Sequence, residues 1–232
     1  MNHDFKIPVL YQDETLVVVE KPIGLPVHKN DFMPHDAPYL TKLLGEQTGK
    51  WIYNVHRLDS KTSGVIVLSF SSEAAHELTL QFERKEVVKK YVAIVQGNPG
   101  EGTFSDKVLV KKKSKFKKPA VTHFKTIKTI ESGISYKEKE NILLSLVEIQ
   151  PETGRWHQLR QHFAKNRFDI LGDTHHGDFT LNKIVAEKTG IKRLFLHATD
   201  LQIRHPENHS TVKINSSVPI EFETVFQALK QA

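Results

Sequence analysis

The chain contains no cysteine among its 232 residues. Disulfides, thiolate metal sites and cysteine nucleophiles are therefore excluded, and the absence fits a reducing compartment. Long apolar runs are also missing. None approaches the roughly 20 residues that a membrane helix needs, and residues 1–6 are polar rather than a cationic segment feeding an apolar one. There is no glycine-rich phosphate loop, no internal repeat and no low-complexity tail. Together these absences predict a soluble, cytoplasmic protein.

What is present is an apolar fraction of 38%, enough for a substantial core, and a basic balance of 33 Lys and Arg against 27 Asp and Glu. The net charge of +6 is partly clustered, because the eight residues from Lys111 to Lys118 contain six lysines around Ser114 and Phe116. Lys111, Lys112, Lys113, Lys115, Lys117 and Lys118 would attract phosphates through counterion release, while Phe116 can stack on a base or pack down. A solvated loop has the same composition.

Hydrophobic patterning predicts strands interspersed with helices. Val9–Tyr11 and Leu16–Val19 flank Gln12-Asp13-Glu14 and read as a hairpin. A helix is expected over 39–47, and a second from a Ser71 or Ser72 cap to about Arg84, with Ala75, Leu78 and Phe82 on one face. Residues 91–95, 103–110, 121–130, 142–149, 194–203 and 211–214 read as strands, residues 156–165 as a helix, and 219–229 as a last helix. This pattern implies an α+β fold: a single domain, 1–232, around a large, mostly antiparallel mixed sheet with flanking helices and loops.

Two polar segments carry the chemistry. The first is His56-Arg57-Leu58-Asp59-Ser60-Lys61-Thr62-Ser63, closed by Gly64 and followed by the apolar run Val65–Leu68. A polar loop at the edge of a buried strand is a common seat of catalysis, and Asp59, flanked by cations, is a candidate nucleophile. The second is residues 153–163, where a helix starting at Trp156 places Leu159, Arg160 and Phe163 on one buried stripe. A buried guanidinium needs a carboxylate, and Asp59 is the proposed partner of Arg160; the alternatives are that Arg160 snorkels to water or pairs with another acidic residue. The 13 histidines offer a rival metal-hydrolase reading through His157, His162, Asp173, His175, His176 and Asp178, and later His197 and His205. However, His157 and His162 are five residues apart and so about 140° apart on a helix, which is poor ligand spacing.

His56-Arg57-Leu58-Asp59 with Thr62-Ser63-Gly64, Lys89-Lys90-Tyr91-Val92-Ala93, Gly154-Arg155 with His157-Gln158-Leu159-Arg160, Leu171-Gly172-Asp173 and Leu196-His197-Ala198 form an ordered set. This set resembles the motifs of the RluA-type pseudouridine synthases over nearly the whole chain. The resemblance implies that Asp59 bonds covalently to a target uridine, that Tyr91 stacks on the flipped base and acts in proton removal, and that Arg160 pairs with the aspartate. It further implies that Arg57, with His56, assists base flipping and RNA contact, that Lys89 and Lys90 join the lysine run on the phosphate backbone, and that Leu196 lines the uracil pocket. Arg155, His157 and Gln158 fall in supporting positions.

Within the family, Pro119–Phe124, Gly172–Asp178 and Leu181-Asn182-Lys183 are most like the TruC branch, whose members act on uridine 65 of transfer RNA. The implied protein is a monomer that works on RNA, without cofactor, metal or membrane and without a separate N-terminal RNA-binding domain; the alternatives are a ribosomal RNA enzyme of the same family and a non-catalytic RNA-binding or RNA-folding protein on this scaffold. Trp156 and Phe168-Asp169 depart from the family pattern and bear on local loop geometry.

Overall fold

The computed structural model describes residues 6–29, 33–112 and 114–230. The chain runs β1 (Val9–Gln12), β2 (Leu16–Lys21), α1 (Leu40–Thr48), β3 (Tyr53–Asn54), β4 (Ser63–Ser69), α2 (Ser72–Glu83) and β5 (Val88–Gln96). It continues through β6 (Glu101–Phe104), β7 (Val108–Leu109), β8 (Lys117–Lys118), β9 (Thr122–Glu131) and β10 (Leu143–Pro151). Then follow α3 (Gln158–Lys165), α4 (Phe179–Thr189), β11 (Leu196–Arg204), β12 (Thr211–Asn215) and α5 (Ile220–Lys230). The class is α+β, as the patterning predicts, and every strand pairing whose register is described is antiparallel.

Two compact units divide the chain: residues up to Lys89 with Ala198–Ser217, and Lys90–His197 with the residues from Val218 onward. In the first unit β2 is flanked by β1 and β4, β3 also pairs with β4, and β12 pairs with β11. The β1–β2 hairpin forms because Asp13 turns the chain, its Oδ1 accepting from the Thr15 and Leu16 amides at 2.8 and 2.9 Å. All seven residues of β4 are buried, which explains why Val65–Leu68 is a continuous apolar run rather than an alternating one. Val65 and Val67 pack with Leu16, Val18, Leu78, Leu201 and Ile203. Full burial of each such side chain contributes about 1.5–3 kcal/mol. Ser71 caps α2 by accepting from the Ala74 amide at 3.2 Å.

In the second unit the strands run β5, β10, β9, β6. Phe124 of β9, Val147 and Ile149 of β10, and Leu159 and Phe163 of α3 share one core with Leu196. Phe104 packs against it edge-on to Phe163, with ring centroids 5.2 Å apart.

Two expectations are corrected here, and one element is added. The strand foreseen over 103–110 stops at Phe104, and the chain resumes as the short hairpin β7–β8, because the side chains of Lys165 and Asn166 hold Asp106 out of a continuous ladder. Helix α3 begins at Gln158, not Trp156, since His157 sits in the left-handed region at φ 48°. Helix α4 was not foreseen. Asp178 caps it through Oδ1, which accepts from the Thr180 and Leu181 amides, and Leu181 and Val185 face the core. Lys113 of the lysine run lies outside the described residues.

Candidate active site

In the first unit the Asp59 segment is fastened from several directions. The Thr62 amide donates to the Asp59 carbonyl at 3.0 Å, closing a turn in which Leu58, Thr62 and Ser63 are buried while Asp59 is half-buried. The Ser60 carbonyl accepts from the Gly24 amide at 2.8 Å and from Lys21 Nζ at 3.1 Å. Lys21 is fully buried, and its ammonium also donates to the carbonyls of Pro22 and Leu25 at 2.8 and 2.9 Å. Burial pushes this ammonium down to about 7 against the opposing pull of the Asp59 charge. Lys21 therefore ties the Pro22–Leu25 turn to the turn bearing Asp59. Sequence reading missed it, although a lone cation closing the apolar run of β2 was a visible signal.

Gly64 follows the turn with φ 111°, and a Cβ there would stand 2.1 Å from the Ala198 carbonyl oxygen. No side chain fits that approach.

His56 and Arg57 part company. Arg57 is exposed, as a base-flipping role requires, whereas the half-buried His56 accepts from the Val67 amide at 3.2 Å and stacks on Phe82 at 4.4 Å. Burial, then the charge of Lys89, holds this imidazole far below its usual range, at about 3, so it is a neutral anchor of the loop on β4. Lys89 is itself only 9% exposed, unlike the surface position expected of a phosphate contact. Its Nζ lies 5.6 Å from the Phe82 ring centre, and burial lowers it to about 8.

In the second unit Tyr91 of β5 stands opposite Ile149 and packs, half-buried, against the cluster that contains Leu196. Lys90 Nζ lies 3.2 Å from both carboxylate oxygens of Glu148. Arg160 is 5% exposed, the burial foreseen for it. The carboxylate on which its two nitrogens close is Asp173: Nε donates to Oδ2 and Nη2 to Oδ1, both at 2.7 Å. The sequence had offered Asp173 only as a motif residue and a metal ligand. Its Oδ1 also accepts from the His175 and His176 amides at 2.8 and 3.1 Å. Burial raises the Asp173 carboxyl, but Arg160 and these amides outweigh it and bring the group to about 2.

The third arm of Arg160, Nη1, lies 2.9 Å from His157 Nε2. A guanidinium only donates, so His157 Nε2 accepts, and its Nδ1 carries the proton toward His176 Nε2 at 3.0 Å. Burial and then Arg160 lower His157 to about 3, consistent with that neutral tautomer. Arg160 thus donates to Asp173 on one side and to His157 on the other, and His157 donates on to His176, with Trp156 stacked on His157 at 3.9 Å. One nitrogen from each of His157, His175 and His176 lies within 4.8 Å of the others; all three belong to the rival metal reading, which weighs His162 beside His157. His162 turns elsewhere, to Thr122 Oγ1 and the Asp106 carbonyl.

Gln158 uses both ends of its amide. Oε1 accepts from Thr153 Oγ1 and the Arg155 amide at 2.6 and 3.1 Å, while Nε2 donates to the Val121 carbonyl and Thr122 Oγ1 at 2.9 and 3.0 Å. It locks the loop before α3 onto β9 and leaves Arg155 exposed. On the β7–β8 hairpin Lys111, Lys112, Lys115, Lys117 and Lys118 are all exposed, and Phe116 is 80% exposed. The packed-down alternative for Phe116 is thereby removed. Among the described residues no helix is long and apolar enough to cross a membrane.

The model of the RNA pseudouridylate synthase family matches residues 15–165, a span that includes the Asp59 turn, Tyr91 and Arg160. The chain belongs to this family and is an RNA pseudouridine synthase, an isomerase. Among curated proteins it is 38% identical to tRNA pseudouridine synthase C of Yersinia pestis over 86% of this chain and 82% of that protein. It is 39% identical to tRNA pseudouridine synthase C of Pasteurella multocida (strain Pm70) over 91% of each chain. Among solved structures, human RNA pseudouridylate synthase domain containing 4 superimposes with a TM-score of 0.71 at 29% identity, over 96% of this chain and 92% of that one.

Proposed function

We propose that the protein isomerises one uridine of transfer RNA, uridine 65, to pseudouridine with Asp59 as the nucleophile. The observation that carries the choice of RNA is the 38–39% identity, over at least four fifths of each chain, to relatives named tRNA pseudouridine synthase C. The choice of nucleophile is supported by the half-buried carboxylate in a turn tied down by Lys21 and closed by Gly64.

The target base is enclosed in a folded RNA and must be extruded before chemistry, and the exposed, planar Arg57 is suited to filling the gap it leaves. The Asp59 carboxylate bonds to the nucleotide as the N1–C1′ bond breaks. The freed uracil turns on Tyr91, and C5 bonds to C1′. Loss of the C5 proton, in which Tyr91 acts, uptake of a proton from solvent at N1 and release of Asp59 complete the exchange of one bond for another. No electrons are gained or lost and no group is imported, so the reaction itself calls for neither oxidant nor cofactor. Leu196 supplies an apolar wall for the uracil, and the hairpin lysines hold phosphates. The enzyme acts as a cytoplasmic monomer.

The test is to incubate the enzyme with unmodified transfer RNA and, separately, ribosomal RNA, without added metal or cofactor, and to map pseudouridine by mass spectrometry. Pseudouridine at position 65 of transfer RNA is the expected result. Modification confined to ribosomal RNA would overturn the substrate.

A further inference from the structure

Helix α3 carries Arg160 and, with its next residues, grips the root of the basic hairpin. Gln161 Oε1 accepts from the Leu109 amide at 2.9 Å, and its Nε2 donates to the Leu109 carbonyl at 3.2 Å. A single side-chain amide thus satisfies both backbone groups of one β7 residue, as a neighbouring strand would. The same Nε2 donates to the Trp156 carbonyl at 2.7 Å, across the loop that precedes the helix. The next residue, the fully buried His162, places Nε2 2.9 Å from the Asp106 carbonyl, and one turn on Lys165 and Asn166 hold the Asp106 carboxylate. Residues 106 and 109 are in this way bolted to 161, 162, 165 and 166.

The hairpin needs such bolts. Its ladder is two residue pairs long, Val108 with Lys118 and Leu109 with Lys117, and so short a hairpin does not hold its own direction in water. Lys117 and Lys118 of the ladder are exposed, and beyond it the exposed Lys111, Lys112, Lys115 and Phe116 follow.

We infer that Gln161 is a positioning residue that fixes the phosphate-gripping hairpin to the helix bearing Arg160, so that contact with the RNA backbone sets the alignment of the reacting uridine. The inference rests on the reading above, in which Arg160 serves the reaction and the hairpin lysines touch RNA. Charge and direction are separable here. Affinity comes from the lysines by counterion release, which tolerates a swinging hairpin, whereas the chemical step requires the RNA to be held in one pose.

The experiment is a double-mutant cycle on transfer RNA. Its arms are Gln161→Met, which keeps the length of the side chain, a variant with Lys111, Lys112, Lys115, Lys117 and Lys118 changed to Ser, and their combination. Single-turnover rate at saturating enzyme, RNA affinity and its salt dependence are read for each. Gln161→Met should leave affinity and salt slope unchanged and lower the single-turnover rate about tenfold, the scale of a misplaced but bound substrate. In the lysine-depleted background it should lower the rate no further. Gln161→Ala should repeat the pattern, and melting curves confirm that each variant is folded.

A rate loss from Gln161→Met that persists at full size without the lysines would show that Gln161 acts only on the Trp156 loop, and would overturn the inference. So would an unchanged rate, or a loss of affinity with an unchanged rate. If the lysine-depleted variant binds RNA with unaltered affinity and salt slope, the reading of the hairpin as an RNA contact fails first, which is distinguishable from failure of the coupling.

Discussion

The two units hold their buried cations by opposite means. Lys21 is solvated by three backbone carbonyls, whereas Arg160 is clasped by a carboxylate through two parallel hydrogen bonds. An ammonium can shed its proton when buried, and Lys21 is pushed down to about 7; a guanidinium cannot, so burying Arg160 demands a full counter-charge. The first arrangement fixes a backbone turn, the one that presents Asp59. The second fixes the plane of a side chain and passes that order along His157 to His176.

The largest effect should follow from breaking the second arrangement. Arg160→Ala leaves Asp173 buried without its partner and should cost about 3–5 kcal/mol in urea denaturation. Arg160→Lys should restore part of that loss, since it keeps the charge and loses the fork. Equal stability of Arg160→Ala and wild type would show that the pair holds nothing. The pH dependence has a definite sign. The Asp173 carboxyl is depressed to about 2, so its contribution is present above the ordinary aspartate range near 4 and is lost as pH falls toward 2. Asp173→Asn should remove that part of the acid transition.

Lys21 gives a smaller effect of a different shape. Its ammonium is lowered on folding, so between pH 7 and the ordinary lysine value near 10.4 the unfolded chain binds more protons, and stability should rise with pH through that window. Lys21→Met should abolish the rise, as read by urea denaturation at neutral and alkaline pH. An identical pH slope in wild type and variant would mean that Lys21 is not titrating there. Smallest of all is the effect of one hairpin lysine. Lys115→Ser should weaken RNA binding slightly and reduce the salt slope by about one phosphate contact, with no change in melting temperature. An unchanged slope would remove Lys115 from the RNA footprint.

Part of the candidate site was legible because it sets uncommon residue types in order, and the burial foreseen for Arg160 is observed. Asp59 between cations and before a buried run, and an arginine on the apolar stripe of a helix, were both readable without coordinates. What was not readable depends on distance along the chain. Asp173 lies 13 residues beyond Arg160, and only the loop after α3 brings it back under the guanidinium. The histidine grouping has the same origin, since 157 meets 176 across that loop rather than along a helix face. Helix α4 was missed although its Asp178 cap and the terminating Gly190, at φ 72°, are both in the sequence, because lysines and threonines dilute the apolar spacing of Leu181 and Val185. The start of α3 was misplaced because nothing local announces a histidine in the left-handed region. Lys89 was misread because lysines in a row suggest a surface, while alternation along β5 turns one of the two inward.

The most direct measurement is the release of tritium from transfer RNA labelled at C5 of its uridines, compared between wild type and Asp59→Ala under single-turnover conditions. Joining the base through C5 must expel the hydrogen at that carbon. Wild type should therefore release tritium, while Asp59→Ala should bind the RNA as tightly and release none. Tritium release by Asp59→Ala at the wild-type rate would contradict the assignment of Asp59 as the nucleophile.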